Sequence, residues 1–254
     1  MLILLPPSET KRDGGTAGSS LDASALSFPE LAAARRAVSV ELRKLSGNLS
    51  TMAAALKLGD SQQHELARNR AVRTSPTMPA IDRYTGVLYD ALDAQSLPAD
   101  AREFAARRLA VHSALFGLVS AGDAIPAYRL SHDSRLPTLT LKKVWRDPIA
   151  GVLADYDGLI LDLRSEAYVS LGPAPAREGS YFLRLVAEGS DGTKRALNHF
   201  NKKGKGEFVR SLLLAGVEHR NVDSLLAWAA DAGHSLSFGK QGELQLEVVN
   251  SLVA

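Results

Sequence analysis

The densest group of positive charges in the chain lies between residues 194 and 210. This stretch holds six cationic side chains and one carboxylate, Glu207, although the formal charge of the whole chain is only +2. Its central run, residues 201–206, contains two glycines and is predicted to precede a helix from about Gly206 to Ala215. Unpaired N–H groups in a first helical turn attract anions, and glycine lets a ligand approach the backbone closely. The pattern predicts either a phosphate site or a solvated basic loop. The cations of the phosphate site would be Lys202, Lys203, Lys205 and Arg210.

Three other segments place polar side chains directly after a predicted strand or turn, where sites are often built. They comprise residues 8–11, 128–131 and 162–168. Glu9, Asp162 and Glu166 could act as general acids or bases there, and neighbouring cations could hold an anionic substrate. The same carboxylates could instead neutralise those cations in structural ion pairs, so both interpretations stay open. The neighbouring cations are Lys11, Arg129 and Arg164.

The composition excludes several kinds of chemistry. With no cysteine, the chain can form no disulfide, thiolate nucleophile, iron–sulfur cluster or cysteine-ligated zinc site. None of the six histidines has another histidine at close metal-ligand spacing, and there is no Gly-x-Ser-x-Gly motif. We therefore expect no metal site, no cofactor and no serine-hydrolase triad. His112 lies in an apolar run, which favours a hydrogen-bonded core residue over a ligand.

A short apolar–glycine–apolar run, Phe116–Leu118, stands before a turn. Such a run can form the hairpin of a helix-hairpin-helix element, whose backbone N–H groups meet a DNA phosphate. It can equally end a buried strand, and the turn rules favour that second interpretation.

Strands are predicted for the apolar segments of both halves of the chain. The predicted strands are residues 2–5, 158–163 and 181–187, and a hairpin joins 181–187 to 194–200. A second hairpin is predicted from residues 235–238 and 243–248. The first strand ends where Pro7 removes a ladder donor, and the Asp-Gly pair at 191–192 supplies the positive φ of a hairpin turn.

Helical periodicity and capping residues account for most of the remaining chain. The predicted helices are residues 29–45, 49–58, 61–72, 98–108, 206–215 and 223–232. Residues 12–20 contain three glycines without periodicity and are predicted to form a mobile surface loop that could cover a site. Together these elements predict an α+β fold, a single domain over residues 1–254 with a mixed β-sheet flanked by helices.

Length and hydropathy suggest where such a protein acts. The 254 residues are 45% apolar, and no segment has the 18 or more consecutive apolar residues of a transmembrane helix. The apolar run at residues 1–5 is shorter than that of a signal peptide. We expect a cytoplasmic protein without a membrane partner.

Several short blocks in order resemble the YaaA peroxide-stress family. They are residues 2–11, 84–86, 113–118, 128–130, Trp145, residues 162–168 and residues 202–206. The resemblance implies a protein that binds DNA in a positively charged cleft with a helix-hairpin-helix-like element. It also implies a role in limiting free iron and the oxidative damage that iron causes. Carried over by position, the cations of the cleft would be Lys11, Arg129, Arg164, Lys202, Lys203, Lys205 and Arg210.

Two functions follow from these observations. The first is DNA binding through phosphate contacts without sequence readout, because the cations cluster with glycines and few aromatic residues that could stack on bases. The second is an enzyme acting on a small phosphorylated or carboxylated metabolite bound in the same cleft. Both require the polar segments to meet in space.

Overall fold

The computed structural model of the chain describes residues 1–59, 62, 64–188, 194–196 and 201–248. The strands are β1 (Leu2–Leu5), β2 (Met78–Pro79), β3 (Leu109–Ser113), β4 (Gly117–Ser120), β5 (Ala124–Ile125), β6 (Ile160–Asp162), β7 (Ser180–Glu188), β8 (Lys194–Ala196), β9 (Ser235–Phe238) and β10 (Glu243–Glu247). Among the described residues, eight strands form one mixed sheet in the order β4-β3-β1-β6-β7-β10-β9, with β8 paired to β7. Strands β2 and β5 form a separate antiparallel pair.

Helices account for most of the chain between the strands. They are α1 (Ala32–Leu45), α2 (Leu49–Leu56), α3 (His64–Arg70), α4 (Ala80–Arg83), α5 (Val87–Leu92), α6 (Ala99–Arg108), α7 (Leu141–Ala154), α8 (Glu166–Val169), α9 (Asn201–Ala215) and α10 (Val222–Asp231). Short 3-10 helices cover Pro29–Leu31 and Ala94–Ser96. The structure confirms the predicted α+β class with a mixed sheet flanked by helices.

Strand β1 lies between β3 and β6 and runs parallel to both. All four of its residues are buried, as expected of a strand covered on both faces. The chain leaves β1, returns as β3 on one side, and later adds β6 on the other side. Ligands of open sheets bind at the carboxyl ends of strands where the chain order switches in this way. The topology therefore favours a ligand site beside the residues that follow β1 and β6.

Both predicted hairpins are present in the sheet. Strands β9 and β10 pair antiparallel, with Leu244 opposite Phe238. Strands β7 and β8 also pair antiparallel, with Val186 opposite Ala196. The turn at 189–193 and the predicted continuation at 197–200 lie outside the described residues.

The structure does not form a helix-hairpin-helix element at Phe116–Leu118. Gly117 instead begins β4 and pairs with Ser113 in an antiparallel hairpin. Its φ is +70°, and a Cβ at this position would lie 2.6 Å from Cζ3 of Trp145. The glycine is needed because the indole packs against its backbone, and not for contact with a phosphate.

Trp145 belongs to α7, a helix that the sequence pattern does not predict. The side chain is fully buried, and its Nε1 donates to the carbonyl oxygen of Ala114 at 2.9 Å. Helix α7 also packs on α1. The indole thus joins α7 to the hairpin of β3 and β4.

Backbone hydrogen bonds hold the segment predicted as a mobile loop over residues 12–20. The N–H of Arg12 donates to the carbonyl oxygen of Arg83 at 2.8 Å, and the N–H of Thr16 donates to that of Thr77 at 2.9 Å. Asp13 forms an ion pair with Arg68 at 2.7 Å. Separately, no helix in the described part of the chain is long and apolar enough to span a membrane.

Candidate functional site

A cleft of about 560 Å³ opens at the carboxyl ends of β1 and β6. We call it the strand-end cleft. Its walls come from the segments after β1 and β6, the start of α5, the 130–132 segment and the first turns of α9. The polar lining residues are Ser8, Glu9, Thr10, Thr85, Ser131, His132, Ser165, Tyr168, Asn201, Lys202 and Lys205. All four polar segments predicted from sequence therefore contribute to one cleft.

Lys205 is the buried cation of this cleft. Its side chain points from α9 towards the end of β6, where Nζ donates to the carbonyl oxygen of Leu163 at 2.9 Å. Burial lowers the pKa of Lys205 to about 8, although the nearby Asp162 carboxylate acts to raise it. Lys205 forms no ion pair with any described residue. Lys202, one turn earlier, is exposed and likewise lacks an ion pair within the described part of the chain.

Lys11 lies behind the loop that lines the cleft after β1. Nζ donates to the carbonyl oxygens of Ser8 and Glu9 at 3.0 and 3.2 Å, and it stands 4.2 Å from the centre of the Tyr128 ring. Burial, and then the charge of Arg129, lower the pKa of Lys11 to about 7. A lysine with a pKa near neutrality can exchange a proton under physiological conditions.

Glu9 and Arg129 form an ion pair at the edge of the cleft. Nη2 of Arg129 lies 2.7 Å from Oε2 of Glu9, whose side chain is 62% exposed. Asn69 fixes the backbone of Arg129 through two hydrogen bonds. Nδ2 of Asn69 donates to the carbonyl oxygen of Arg129 at 2.7 Å, and the backbone N–H of Arg129 donates to Oδ1 of Asn69 at 2.8 Å. Nε of Arg129 is buried without a hydrogen-bond partner in the described structure. The arrangement keeps a carboxylate in the cleft beside a fixed cation.

Asp162 and Arg164 form a buried ion pair beneath the cleft. Nη2 and Nε of Arg164 contact the two carboxylate oxygens of Asp162 at 2.6 and 2.9 Å. Nη1 donates to Nδ1 of His112 and to the carbonyl oxygen of Gly172, both at 2.9 Å. These contacts are those of a structural ion pair, the alternative left open by the sequence.

His112 is a fully buried member of the same group. Burial, and then the charge of Arg164, hold the pKa of His112 well below its ordinary value. The neutral ring accepts a hydrogen bond at Nδ1, which leaves the proton on Nε2. The prediction of a hydrogen-bonded core histidine agrees with this geometry.

Of the ten predicted site residues, only Glu9, Lys202 and Lys205 line the cleft itself. Lys11, Arg129, Asp162 and Arg164 lie behind, beside or beneath it, and the remaining three have contacts elsewhere. Glu166 is exposed and lies 3.5 Å from Arg184. Lys203 pairs with Glu207 at 3.6 Å along α9. Arg210 donates to the carbonyl oxygens of Leu92 and Asp93 and to Oγ of Ser96 at 2.7–2.9 Å, and so joins α9 to the end of α5.

The prediction that residues 201–206 form a loop before a helix is wrong. Helix α9 begins at Asn201 and includes both glycines. A Cβ on Gly206 would lie 2.2 Å from the carbonyl oxygen of Leu88, and one on Gly204 would lie 2.6 Å from Cδ2 of Leu185. The glycines thus allow α9 to pack closely on α5 and β7. They do not serve the approach of a phosphate.

Three polar residues of the cleft were not singled out from the sequence. His132 lies with its ring centre 5.4 Å from that of Tyr168, and Nδ1 is 3.4 Å from Oγ of Ser131. Oδ1 of Asn201 is buried without a partner among the described residues. The hydroxyl of Tyr89 donates to the carbonyl oxygen of Pro6 at 2.8 Å. Asn201 is the first residue of the 201–206 run and His132 directly follows the predicted 128–131 segment, so both lie next to residues that the sequence indicated.

Comparison with known proteins identifies the family. A family model described as peroxide stress protein YaaA matches residues 1–237. A UPF0246 protein of Corynebacterium glutamicum strain R is 43% identical over 238 residues, covering 92% of this chain and 93% of the relative. A UPF0246 protein of Streptomyces coelicolor is 42% identical over 240 residues, covering 93% of this chain and 92% of the relative. The resemblance inferred from short blocks is therefore confirmed, and the chain belongs to the peroxide stress protein YaaA family.

Proposed function

We propose that this peroxide-stress protein binds a small phosphorylated or carboxylated compound in the strand-end cleft and acts on it as an enzyme. The observation that carries the proposal is Lys205, a buried cation that lines a concave site and has no carboxylate partner among the described residues. Concave sites of a few hundred Å³ with a few convergent polar groups are typical of small-ligand binding. Perturbed titration of the groups in such a site supports this assignment.

The residues of the cleft suggest separate roles. Lys202 and Lys205 lie one turn apart on α9 and would bind the anionic group of the ligand. Glu9 would accept a proton from the bound compound. Arg129, its ion-pair partner, would keep the Glu9 side chain in the carboxylate form that can accept this proton. Lys11 would position the segment after β1, because its Nζ donates to the carbonyl oxygens of Ser8 and Glu9 behind the cleft.

Calorimetry and thermal shift with a panel of sugar phosphates and dicarboxylates test the proposal. We expect at least one compound to bind saturably and to bind about tenfold more weakly to Lys202→Ala, because a charge-assisted hydrogen bond to the ligand is lost. Lys205→Met should remove binding of the same compound. Lys142→Ala, which removes an exposed cation from α7, is the matched control and should bind as the wild type does.

Two results would contradict the proposal. One is the absence of saturable binding by any compound of the panel. The other is a compound that binds Lys202→Ala, Lys205→Met and Lys142→Ala equally well. Lys202 is exposed, so its loss should not disturb folding, and the melting temperature of each variant checks this.

DNA binding is the second candidate function. It is favoured by the position of Lys202 and Lys203, which are exposed or half-exposed at the start of α9. In this candidate the lysines contact phosphates, and protection from iron-driven damage follows from covering the DNA. Both candidates assume a cytoplasmic protein that acts as one domain.

Salt dependence tests the DNA candidate. The logarithm of the affinity should fall linearly with the logarithm of salt concentration, with a slope of about −0.9 per phosphate contacted. Combined replacement of Lys202, Lys203 and Lys205 by alanine should make the slope shallower. An unchanged slope in that variant would exclude these lysines from DNA contact.

A further inference from the structure

A second cavity, of about 500 Å³, lies between α1, the end of α3 and the segment at residues 21–24. We call it the arginine groove. Four exposed arginines line it, two from α1 and two from the end of α3 and the turn after it. They are Arg36, Arg43, Arg70 and Arg73.

Cations outnumber carboxylates in this groove. None of the four arginines forms an ion pair with a described residue. The one carboxylate in the lining is Asp22, whose Oδ1 already accepts hydrogen bonds from the N–H and Oγ of Ser24 at 2.9 and 2.5 Å. Across the whole chain cations and carboxylates nearly balance, so the groove is a local excess of positive charge. Such an excess attracts an anion with more than one negative charge.

The two arginines of α1 lie two turns apart along one side of the groove. Arg36 and Arg43 are seven residues apart, so they lie on one face of α1 about 10 Å from each other. Arg70 donates Nε to the carbonyl oxygen of Ser46 at 3.0 Å, which leaves its two terminal nitrogens for a ligand. Arginine binds phosphate through two parallel N–H bonds, which makes it the residue suited to such groups.

The floor of the groove is apolar and fixed in place. Val40, Val72 and Leu115 contribute to the lining together with Phe116. Arg35, buried at the base, donates Nε to the carbonyl oxygen of Phe116 at 2.7 Å and thereby holds the floor against α1. A ligand with an organic part would cover this surface, whereas an inorganic ion would leave it in contact with water. Phe116 and Leu115 are each only 1% exposed, so the apolar surface of the floor that is open to a ligand is aliphatic and comes from Val40 and Val72.

We propose that the arginine groove binds a nucleoside polyphosphate. The phosphates lie between the arginines of α1 and those after α3, and the base and sugar cover the apolar floor. This site is separate from the strand-end cleft and does not depend on the function proposed for that cleft.

Isothermal calorimetry with ATP and GTP tests the proposal. We expect saturable binding of one or both nucleotides, weaker binding of inorganic tripolyphosphate, and no binding of adenosine. Arg36→Gln and Arg43→Gln should each weaken nucleotide binding by about tenfold, because each removes a charge-assisted contact to phosphate. Arg107→Gln, which removes an exposed arginine from α6, is the matched control and should leave binding unchanged.

Several outcomes would overturn the proposal. One is the absence of saturable heat from both nucleotides at millimolar concentration, and another is binding by both arginine variants that equals binding by the control. Loss of nucleotide binding in Lys202→Ala, with Arg36→Gln and Arg43→Gln unaffected, would place the nucleotide in the strand-end cleft. Weaker binding of duplex DNA to the arginine variants, with nucleotide binding unchanged, would make the groove part of a nucleic-acid surface.

Discussion

The ammonium group of Lys11 is surrounded by two carbonyl oxygens and two tyrosine rings, and burial lowers its pKa to about 7. In the unfolded chain the pKa returns to 10.5. Between these two values the unfolded state binds more protons than the folded state, so this group makes stability rise with pH. Below pH 7 the full cost of burying the charge is present.

Replacing Lys11 by methionine removes this contribution. We expect the free energy of unfolding of the wild type to rise more steeply between pH 7 and pH 10 than that of Lys11→Met. The difference between the two slopes corresponds to at most one proton bound more by the unfolded state than by the folded state. Urea unfolding at a series of pH values measures the difference. Parallel curves for the two proteins would show that Lys11 titrates normally in the folded state.

The buried pair of Asp162 and Arg164 makes the fold sensitive to loss of one charge. Asp162→Asn leaves the guanidinium group buried without its counter-charge, and we expect the free energy of unfolding to fall by about 3 kcal/mol. Glu103→Gln, which removes the exposed partner of Arg107, should change it by less than about 0.5 kcal/mol. Equal effects of the two substitutions in urea unfolding would contradict the structural role of the buried pair.

The contact between α5 and α9 is set by Gly206. A methyl group there would meet a backbone oxygen of α5, which cannot rotate away. We expect Gly206→Ala to lower the free energy of unfolding by about 2 kcal/mol, because overpacking outweighs the better helix propensity of alanine. In Gly151→Ala, on the exposed side of α7, the new Cβ meets no atom within 4 Å, and stability should rise by about 0.5–1 kcal/mol. Thermal unfolding of both variants tests the comparison, and stabilisation by both would refute the close packing.

The elements that sequence predicts well are those whose local pattern agrees with their final environment. Strand β1 has an unbroken apolar run that ends at a proline, and both hairpins have clear turn residues. Helix α7 is not evident from the sequence because Pro148 lies inside it, and proline normally interrupts a helix. Burial of Trp145 and Ile149 on one face of α7 favours the helix in spite of that residue.

The candidate site was predictable in outline for a related reason. The sequence pattern indicates where β1 and β6 end and that polar residues follow each of them. These residues meet because the two strands are parallel neighbours. The start of α9 was not predictable, because two glycines in six residues normally oppose helix formation. Their role becomes evident only when α5 and β7 are in place beside them.

At the scale of the whole molecule, Asn69 connects the two cavities. It lines the arginine groove, and its side chain makes both hydrogen bonds to the backbone of Arg129, the partner of Glu9 in the strand-end cleft. A change in one cavity can therefore alter the position of a charged residue in the other.

Asn69→Ala tests this connection. Two buried backbone groups lose their partners, and we expect the free energy of unfolding to fall by about 2 kcal/mol and ligand binding in the strand-end cleft to weaken. Asn221→Ala, which removes the N-cap of α10, should cost about 1 kcal/mol without changing the affinity. Unchanged affinity in Asn69→Ala would show that Arg129 keeps its position without this contact.

Arg35 and Arg83 are held by backbone carbonyl oxygens. Arg35 bonds to Phe116 and Leu118, and Arg83 bonds to Ile125, Gly14 and Pro76. Dissolved electrolytes screen exposed charge pairs far more than buried contacts with uncharged oxygens. The structure around these two guanidinium groups should consequently persist in concentrated potassium chloride. A loss of anion binding with increasing salt would therefore report release of the ligand and not unfolding of the protein.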